Sequence, residues 1–317
     1  MIILDRQKIE QLLNWKVHLP ELLALFADAF IQFSNGHSVN AMPIHLDFAE
    51  KQGECHIKAG YNHIDDLFLV KISTGFYLNQ QQGLPSGDGM MILGCKNTGQ
   101  IKAVLCDEGY LTLMRTAITA CLAATLTPWD IDAMSMIGTG GLAQLIIELM
   151  HQLYPNTVMR VWGRDPEKVK QIQLKFPWVE AVADLDPLVR QGGVVFTTTA
   201  SQHPFIFPAA IERKIHCIAL GADQPNKQEI DSAVFAMADC VVVDSLAQAQ
   251  QLGDTAIALH TRTIQSSDVI ELGHALESSN PVSDQAHILI TDLTGVAPQD
   301  LVIAKFVYTL CECPTYT

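Results

Sequence analysis

The sequence predicts an α/β protein with a Rossmann-type, doubly wound parallel sheet preceded by an α+β region. Three observations predict it. Residues 133 to 293 alternate short β-rich runs with helical runs, the pattern of a parallel sheet covered by helices on both faces. A glycine-rich spacing, G-x-G-x-x-A, sits where one apolar run ends and another begins. Residues 1 to about 127 lack this alternation and read as helices, then strands broken by Gly, Asn and Asp, so a mostly antiparallel sheet is expected there.

In chain order, the first region holds expected helices at 6–14 and 20–33 and expected strands at 42–49, 54–59, 66–75, 89–95 and 101–106. A helix at 110–126 leads to Thr127-Pro128, a plausible boundary because the residue before proline is pushed out of helical geometry. Strands follow at 133–138, 158–163, 194–199, 216–221, 240–245 and 287–293, nearly all continuous apolar runs, as strands covered on both faces must be. Helical patterns fall at 141–153, 165–175, 229–238, 246–252 and 267–278. A last helix at 299–312 comes after the final strand, free to fold back on the first region.

Composition narrows the function classes. The 317 residues are 49% hydrophobic and 17% charged, which suits a compact fold. A net charge of −14 with no Lys/Arg cluster argues against a nucleic-acid partner. The start, Met1-Ile2-Ile3-Leu4-Asp5-Arg6, lacks the order of a signal peptide, and the best candidate span, 133–150, is interrupted by Gly and Gln. A cytoplasmic protein with no membrane partner is expected. The eight cysteines form no C-x-x-C pair and sit mostly in apolar runs, which reads as buried reduced thiols and no metal site; Cys311 and Cys313 alone would be two ligands short.

The glycine-rich stretch reads Ser135-Met136-Ile137-Gly138-Thr139-Gly140-Gly141-Leu142-Ala143. Gly138 would make the tight turn, Gly140 would let the backbone approach a diphosphate, and Ala143 would let the helix pack on the sheet. The helix start beginning near Gly141 would offer free N–H groups to the phosphates. With Thr139 and with Thr198 and Thr199 at the end of the strand 194–199, these residues form the candidate cofactor site. The second strand ends Trp162-Gly163-Arg164-Asp165-Pro166. An acid at the tip would hold the ribose 2′-hydroxyl of NAD; Gly163 followed by Arg164 favours NADP(H), with NAD(H) possible if Asp165 serves the ribose instead of capping the next helix.

Three charged residues stand out. Lys71 interrupts the apolar run Leu67–Ser73, so it is paired, faces a cavity, or lies on an edge strand pointing into water. Arg115 is the one charge in a helix of small and apolar residues; it either anchors a carboxylate or pairs with Asp107 or Glu108. Asp223 follows the strand Cys217–Gly221, where ligands of parallel sheets bind, and is either an acid–base group or a turn residue.

Together these residues resemble the ornithine cyclodeaminase/mu-crystallin family over almost the whole chain. The matching pieces are Leu111 to Ala120, Ile137 to Ala143, Ala219 to Asp231, Val241 to Gln248, and Ile290 to Asp300 with its Thr294 and Gly295. The resemblance implies a Rossmann domain (128–297) inserted into a substrate and dimerisation domain (1–127 plus 298–317), and a homodimer. It implies that Lys71 and Arg115 hold the substrate carboxylate, with Thr294 and Gly295 at the substrate and Lys71 and Asp223 in catalysis. The family's Arg after a proline is His45 here, in Pro43-Ile44-His45, either a substitute or a structural histidine. The Glu that binds the side-chain amine in cyclodeaminases falls on His56, with Lys58 close by and Glu54 the nearest acid.

Three functions follow from that resemblance. The first is NAD(P)H-dependent reduction of a cyclic imino acid, of Δ1-pyrroline-2-carboxylate or Δ1-piperideine-2-carboxylate type, to proline or pipecolate. The second is an ornithine or lysine cyclodeaminase using bound NAD and releasing ammonia. The third is an NADPH-dependent small-molecule binding protein of mu-crystallin type.

Overall fold

The structure, a computed structural model, describes residues 1–278 and 282–312. The chain divides into two compact units, one of Met1–Arg115 with the segment from Val296 on, the other of Thr116–Gly295. The division falls inside a helix and not at Thr127-Pro128. Proline marks where a helix must stop, not where the packing environment changes.

The first unit opens with a strand the sequence reading passed over, β1 (Ile2–Asp5), too short and too exposed to carry a periodic signal. Asp5 then caps α1 (Arg6–Leu12) by accepting a hydrogen bond from the Lys8 amide at 2.8 Å. Helix α2 (Trp15–Ser34) begins five residues before the expected start and carries Pro20 inside its second turn, at the expense of one helical hydrogen bond. Among the described helices α2 alone is long and apolar enough to cross a membrane, with a mean hydropathy of 1.2, a candidate the reading of 133–150 missed. Leu19, Leu22, Phe26, Ala29 and Phe30 of α2 are buried, the stripe of a helix laid on a protein core.

The strands β2 (Ser38–Asn40), β3 (Ile44–Phe48), β4 (Gly53–Asn62), β5 (Leu67–Phe76), β6 (Gly87–Cys95) and β7 (Ile101–Cys106) follow, then helix α3 (Tyr110–Ala124). The order is β1-β7-β6-β5-β4-β2, with β3 on the same edge of β4 as β2; every pairing is antiparallel except β1 with β7. One face is closed. Leu69, Lys71, Met91, Leu93, Ala103 and Leu105 point into it and are buried. The C-terminal helix (Ala297–Glu312) lies on this face so closely that a Cβ at Gly60 would come 2.8 Å from that of Ala297. The other face is apolar and open: Val70, Ile72, Ile92 and Val104 are half-buried, and Ile44, Leu46 and Phe48 on the β3 edge are exposed.

The second unit is the expected doubly wound α/β fold. Its elements are β8 (Ala133–Ile137), α4 (Gly141–Leu153), β9 (Val158–Trp162), α5 (Pro166–Lys175), β10 (Val179–Ala181), α6 (Leu185–Arg190) and β11 (Gly193–Thr197). Then come β12 (Ile215–Ala219), α7 (Ser232–Phe235), β13 (Cys240–Val243), α8 (Leu246–Ala249), α9 (Gly253–His260), β14 (Val269–Glu271), α10 (Leu272–Glu277) and β15 (Ile288–Asp292). All eight strands run parallel in the order β10-β9-β8-β11-β12-β15-β13-β14. The chain runs outward from β8 through β9 to β10, then crosses back to start β11 on the other flank of β8. That reversal opens a crevice at the carboxyl ends of β8 and β11.

Departures from the expected elements share a cause. The helix expected at 229–238 shrinks to α7 because Ile230 bridges Ile206 in extended geometry and Asp231 caps the Ala233 amide. The helix expected at 267–278 is cut by β14, and α9 and α6 went unanticipated because their short runs carry little periodicity. Of the cysteines, Cys121, Cys217 and Cys240 are buried and Cys55, Cys95, Cys106 and Cys311 half-buried, all as free thiols; Cys313 lies outside the described residues.

Candidate functional site

Within the first unit, burial collects charge at one point. Lys71 sits on β5, a central strand with β4 and β6 on either side, and is 1% exposed, so the edge-strand reading falls away. Its Nζ donates to Asp300 Oδ1 at 2.9 Å, and Arg115 Nε of α3 stands 3.0 Å from the same oxygen. Asp300 comes from the C-terminal helix and is fully buried. Lys58 of β4 is directly opposite Lys71 in the sheet register and is buried too. Asp107, in the turn before α3, is buried and accepts the Leu111 amide at 2.7 Å.

The protonation of this cluster follows from its surroundings. Burial, then the neighbouring Arg115 cation, lowers Lys71 to about 7, while the Asp300 charge acts the other way. Burial works against an ionised Asp300, but Lys71 and Arg115 outweigh it and hold that carboxyl below its ordinary value. Burial raises Asp107 to about 6. Lys58, Lys71 and Arg115 thus face the carboxyls of Asp300 and Asp107 in one buried cluster, a setting able to take up a small anion. A small carboxylate is the chemistry that answers it.

His45 lies on β3, exposed, with its Nδ1 3.4 Å from Nδ1 of His56, directly opposite on β4. Alternation along β4 puts His56 on the same face as Lys58 and Lys71, about 7 Å along the strand. Glu54, two residues further, accepts from the Tyr77 hydroxyl at 2.9 Å and stands 3.8 Å from His56 Nε2.

In the second unit, the loop between β8 and α4 has the features of a phosphate cradle. Gly138 has φ +134 and is buried; a Cβ there would sit 2.2 Å from Thr198 Oγ1, so the turn requires glycine. Gly140 is the N-cap of α4 without a side-chain cap, is exposed, and has open space where a Cβ would be. Gly141 is exposed as well, so the first amides of a 13-residue helix face outward. Ala143 is buried beneath them. These residues fit a dinucleotide's diphosphate. At the tip of β9, a Cβ on Gly163 would come 2.5 Å from Thr139 Cγ2, which keeps the tip bare. Arg164 beside it is exposed, and Asp165 is committed to capping α5 through the Glu167 amide at 3.0 Å.

The remaining expected residues are held by structural bonds. Thr199 gives its amide and hydroxyl to Glu229 Oε1 at 2.7 Å each, whereas Thr198 packs against Gly138. Asp223 is half-exposed and pairs with Lys227, four residues on, at 2.7 Å. Thr294 and Gly295 are buried: the Thr294 hydroxyl donates to Asp244 Oδ1 at 3.1 Å, and Gln248 Nε2 donates to the Thr294 hydroxyl at 2.9 Å and the Gly295 carbonyl at 3.1 Å. Hydrogen bonds to Asp244 and Gln248 thus fix the place of both residues.

Sequence reasoning gave no role to two residues that matter. Asp300 was named only as the end of the family-matching stretch Ile290 to Asp300, although an acid in the first turn of a largely apolar helix is a signal. Glu229 had none, yet it ties the ends of β11 and β12 together, accepting from Thr197, Thr199 and the Gly221 amide.

Comparison with known proteins assigns the chain to a family. The sequence model of the ornithine cyclodeaminase/mu-crystallin family matches residues 2–312. An uncharacterized cyclodeaminase of Sinorhizobium fredii is 34% identical over 295 residues, 90% of this chain and 89% of its own. A Delta(1)-pyrroline-2-carboxylate reductase of Bacillus cereus is 26% identical over 318 residues, 97% of this chain and 96% of its own. Among solved structures, an archaeal alanine dehydrogenase dimer with bound NAD aligns at TM-score 0.87 and 25% identity, covering 98% of this chain and 96% of the other. The chain belongs to the ornithine cyclodeaminase/mu-crystallin family.

Proposed function

We propose that the protein is an NAD(P)H-dependent oxidoreductase that reduces a cyclic imino acid, of Δ1-pyrroline-2-carboxylate or Δ1-piperideine-2-carboxylate type, to proline or pipecolate. The observation that carries this reading is the buried Lys71–Asp300–Arg115 cluster, with more cation than carboxylate, in a chain that also holds a diphosphate cradle. The dinucleotide supplies a hydride when bound in the loop 138–143. Lys71 and Arg115 take the substrate carboxylate and fix the imine. As the imine carbon gains the hydride pair, the C=N π electrons form a new N–H bond with the proton of Lys71. Lys71, lowered to about 7, gives up that proton readily near neutrality and regains it from water. Asp223 remains the second proton-handling group of this reading.

The bare tip at Gly163, the exposed Arg164 and the capping duty of Asp165 favour NADPH over NADH. The half-exposed apolar face of the first unit's sheet and the exposed β3 edge favour a homodimer, since such a face seeks a second copy. The free thiols suit the cytoplasm.

The test is turnover of purified protein with NADPH and NADH against a panel of cyclic and linear imino acids. Reduction of a cyclic imine, with Arg164→Ala lowering the NADPH-to-NADH preference roughly tenfold, supports the reading; no turnover of any imine removes it. A second reading, the cyclodeaminase, is favoured by the 34% identity to a protein of that name. It would show as ammonia released from ornithine with bound NAD and no net cofactor consumption. Glu54, held by Tyr77 and beside His56, is the acid on this face available to a distal ammonium.

A further inference from the structure

Two cations meet on a single atom. Asp300 Oδ1 is within 3.0 Å of both Lys71 Nζ and Arg115 Nε, and the carboxylate is wholly buried. Its second oxygen, Oδ2, is buried with no hydrogen-bond partner among the described residues. A carboxylate placed only to neutralise a guanidinium uses both oxygens in a forked pair. Here one oxygen serves two like charges from different elements and holds them adjacent, an arrangement their mutual repulsion would otherwise open.

We infer that Asp300 is a positioning residue for the imine reduction proposed above: it holds the Lys71 ammonium and the Arg115 guanidinium side by side for one carboxylate, and its charge sets how tightly Lys71 keeps its proton. The inference rests on that reading for its substrate but not for its electrostatics. The charged and titratable groups facing Lys71 are Asp300 from the C-terminal helix, Arg115 from α3, Lys58 from β4 and Asp107 from the turn before α3. Arg115 and Lys58 push the Lys71 proton off; Asp300 retains it. Without Asp300, Lys71 would stand neutral at the pH where it must bind an anion, and Arg115 would lose the carboxylate that stands 3.0 Å from its Nε. The chain separation of Lys71 and Asp300, 229 residues, means that the C-terminal helix completes this site.

The test reads Lys71 itself. In protein carrying 13C at lysine Cε, the Lys71 resonance is assigned by its loss in Lys71→Arg and titrated in wild type, Asp300→Asn and Asp300→Glu, each checked for a cooperative thermal transition. Asp300→Asn is expected to lower the proton affinity of Lys71 at least tenfold. Asp300→Glu keeps the charge but displaces it by a methylene, so the titration returns towards wild type while KM for the imino acid stays raised at least tenfold. An unchanged Lys71 titration in Asp300→Asn overturns the inference. So does an Asp300→Glu protein in which Lys71 titrates far below wild type, and this arm decides alone should Asp300→Asn fail to fold. If wild type reduces no imino acid, the reductase reading falls, and the titration still decides whether Asp300 governs Lys71.

Discussion

In the unit of Met1–Arg115 and the C-terminal helix, burial falls on cations: Lys58, Lys71 and Arg115 gather around Asp300. In the unit of Thr116–Gly295 it falls mainly on carboxylates: Glu229, Asp244, Asp254 and Asp292 are all buried, against the buried lysine Lys227, which is paired with Asp223. Apart from Asp254 Oδ2, which has no donor among the described residues, the second group is answered mainly by backbone amides and hydroxyls. Glu229 accepts from Thr197, Thr199 and Gly221; Asp254 accepts from the Glu229 and Ile230 amides at 2.8 and 3.2 Å; Asp292 accepts from the Thr255 amide at 2.7 Å; Asp244 accepts from Thr294 and Gly295. Fixed donors of this kind make a buried acid a strut that holds loop ends in place. Lys71 and Arg115 instead share one oxygen of the buried Asp300 carboxylate, and on the proposed reading a ligand carboxylate joins them. On that reading buried charge marks scaffold in one unit and chemistry in the other, and the difference lies in what answers it.

The sharpest way to break this contrast is Lys71→Met. If the cation cluster is chemical, kcat/KM for an imino acid falls by roughly 10³ while thermal stability holds or rises, because an uncomfortable buried charge is gone. Steady-state kinetics and calorimetry together decide, and a stability loss with activity kept would make Lys71 a strut like the acids.

Gly138→Ala probes the second unit's cradle. The new Cβ meets Thr198 Oγ1 at 2.2 Å in a backbone region that alanine rarely adopts. A stability loss of about 2–3 kcal/mol is expected, with weaker dinucleotide binding by calorimetric titration. Binding kept at wild-type strength would detach the loop from the diphosphate.

The smallest effect concerns pH. Burial raises Asp292 to about 7, above the ordinary carboxylate value near 4 that the unfolded chain shows. Between these values the folded protein holds a proton that the unfolded one has lost, so this group's contribution to stability declines as pH rises from about 4 to 7. Asp292→Asn removes that titration, and the melting temperature should fall less between pH 5 and pH 8 than in wild type. An identical decline in the variant would show that the strut is ionised throughout.

Much of the second unit was legible in the sequence because its signals are local. Apolar runs of four to six residues made β8, β11, β12 and β15; the glycine spacing marked the turn, and Asp165-Pro166 marked the start of α5. Where the signal was short or mixed, as at α9 and around Ile230, tertiary pairing overrode local propensity. In the first unit Lys71 and Arg115 were legible as anomalies, charges where apolar residues were due. Their partner was not, because nothing between residues 71 and 300 states that a strand and the last helix meet. Thr294 and Gly295 were legible only as part of the family match; their hydrogen bonds to Asp244 and Gln248, 46 to 50 residues away, were not.

By itself the chain's sequence determined the alternation of strands and helices, the glycine turn and which charges would be costly to bury, since each depends on neighbours a few residues apart. Only the tertiary structure decided which acid meets Lys71 and Arg115 and how Glu229 binds two strand ends. Those outcomes depend on distance in space, and a fully buried charge takes whichever partner the packed fold brings within about 3 Å.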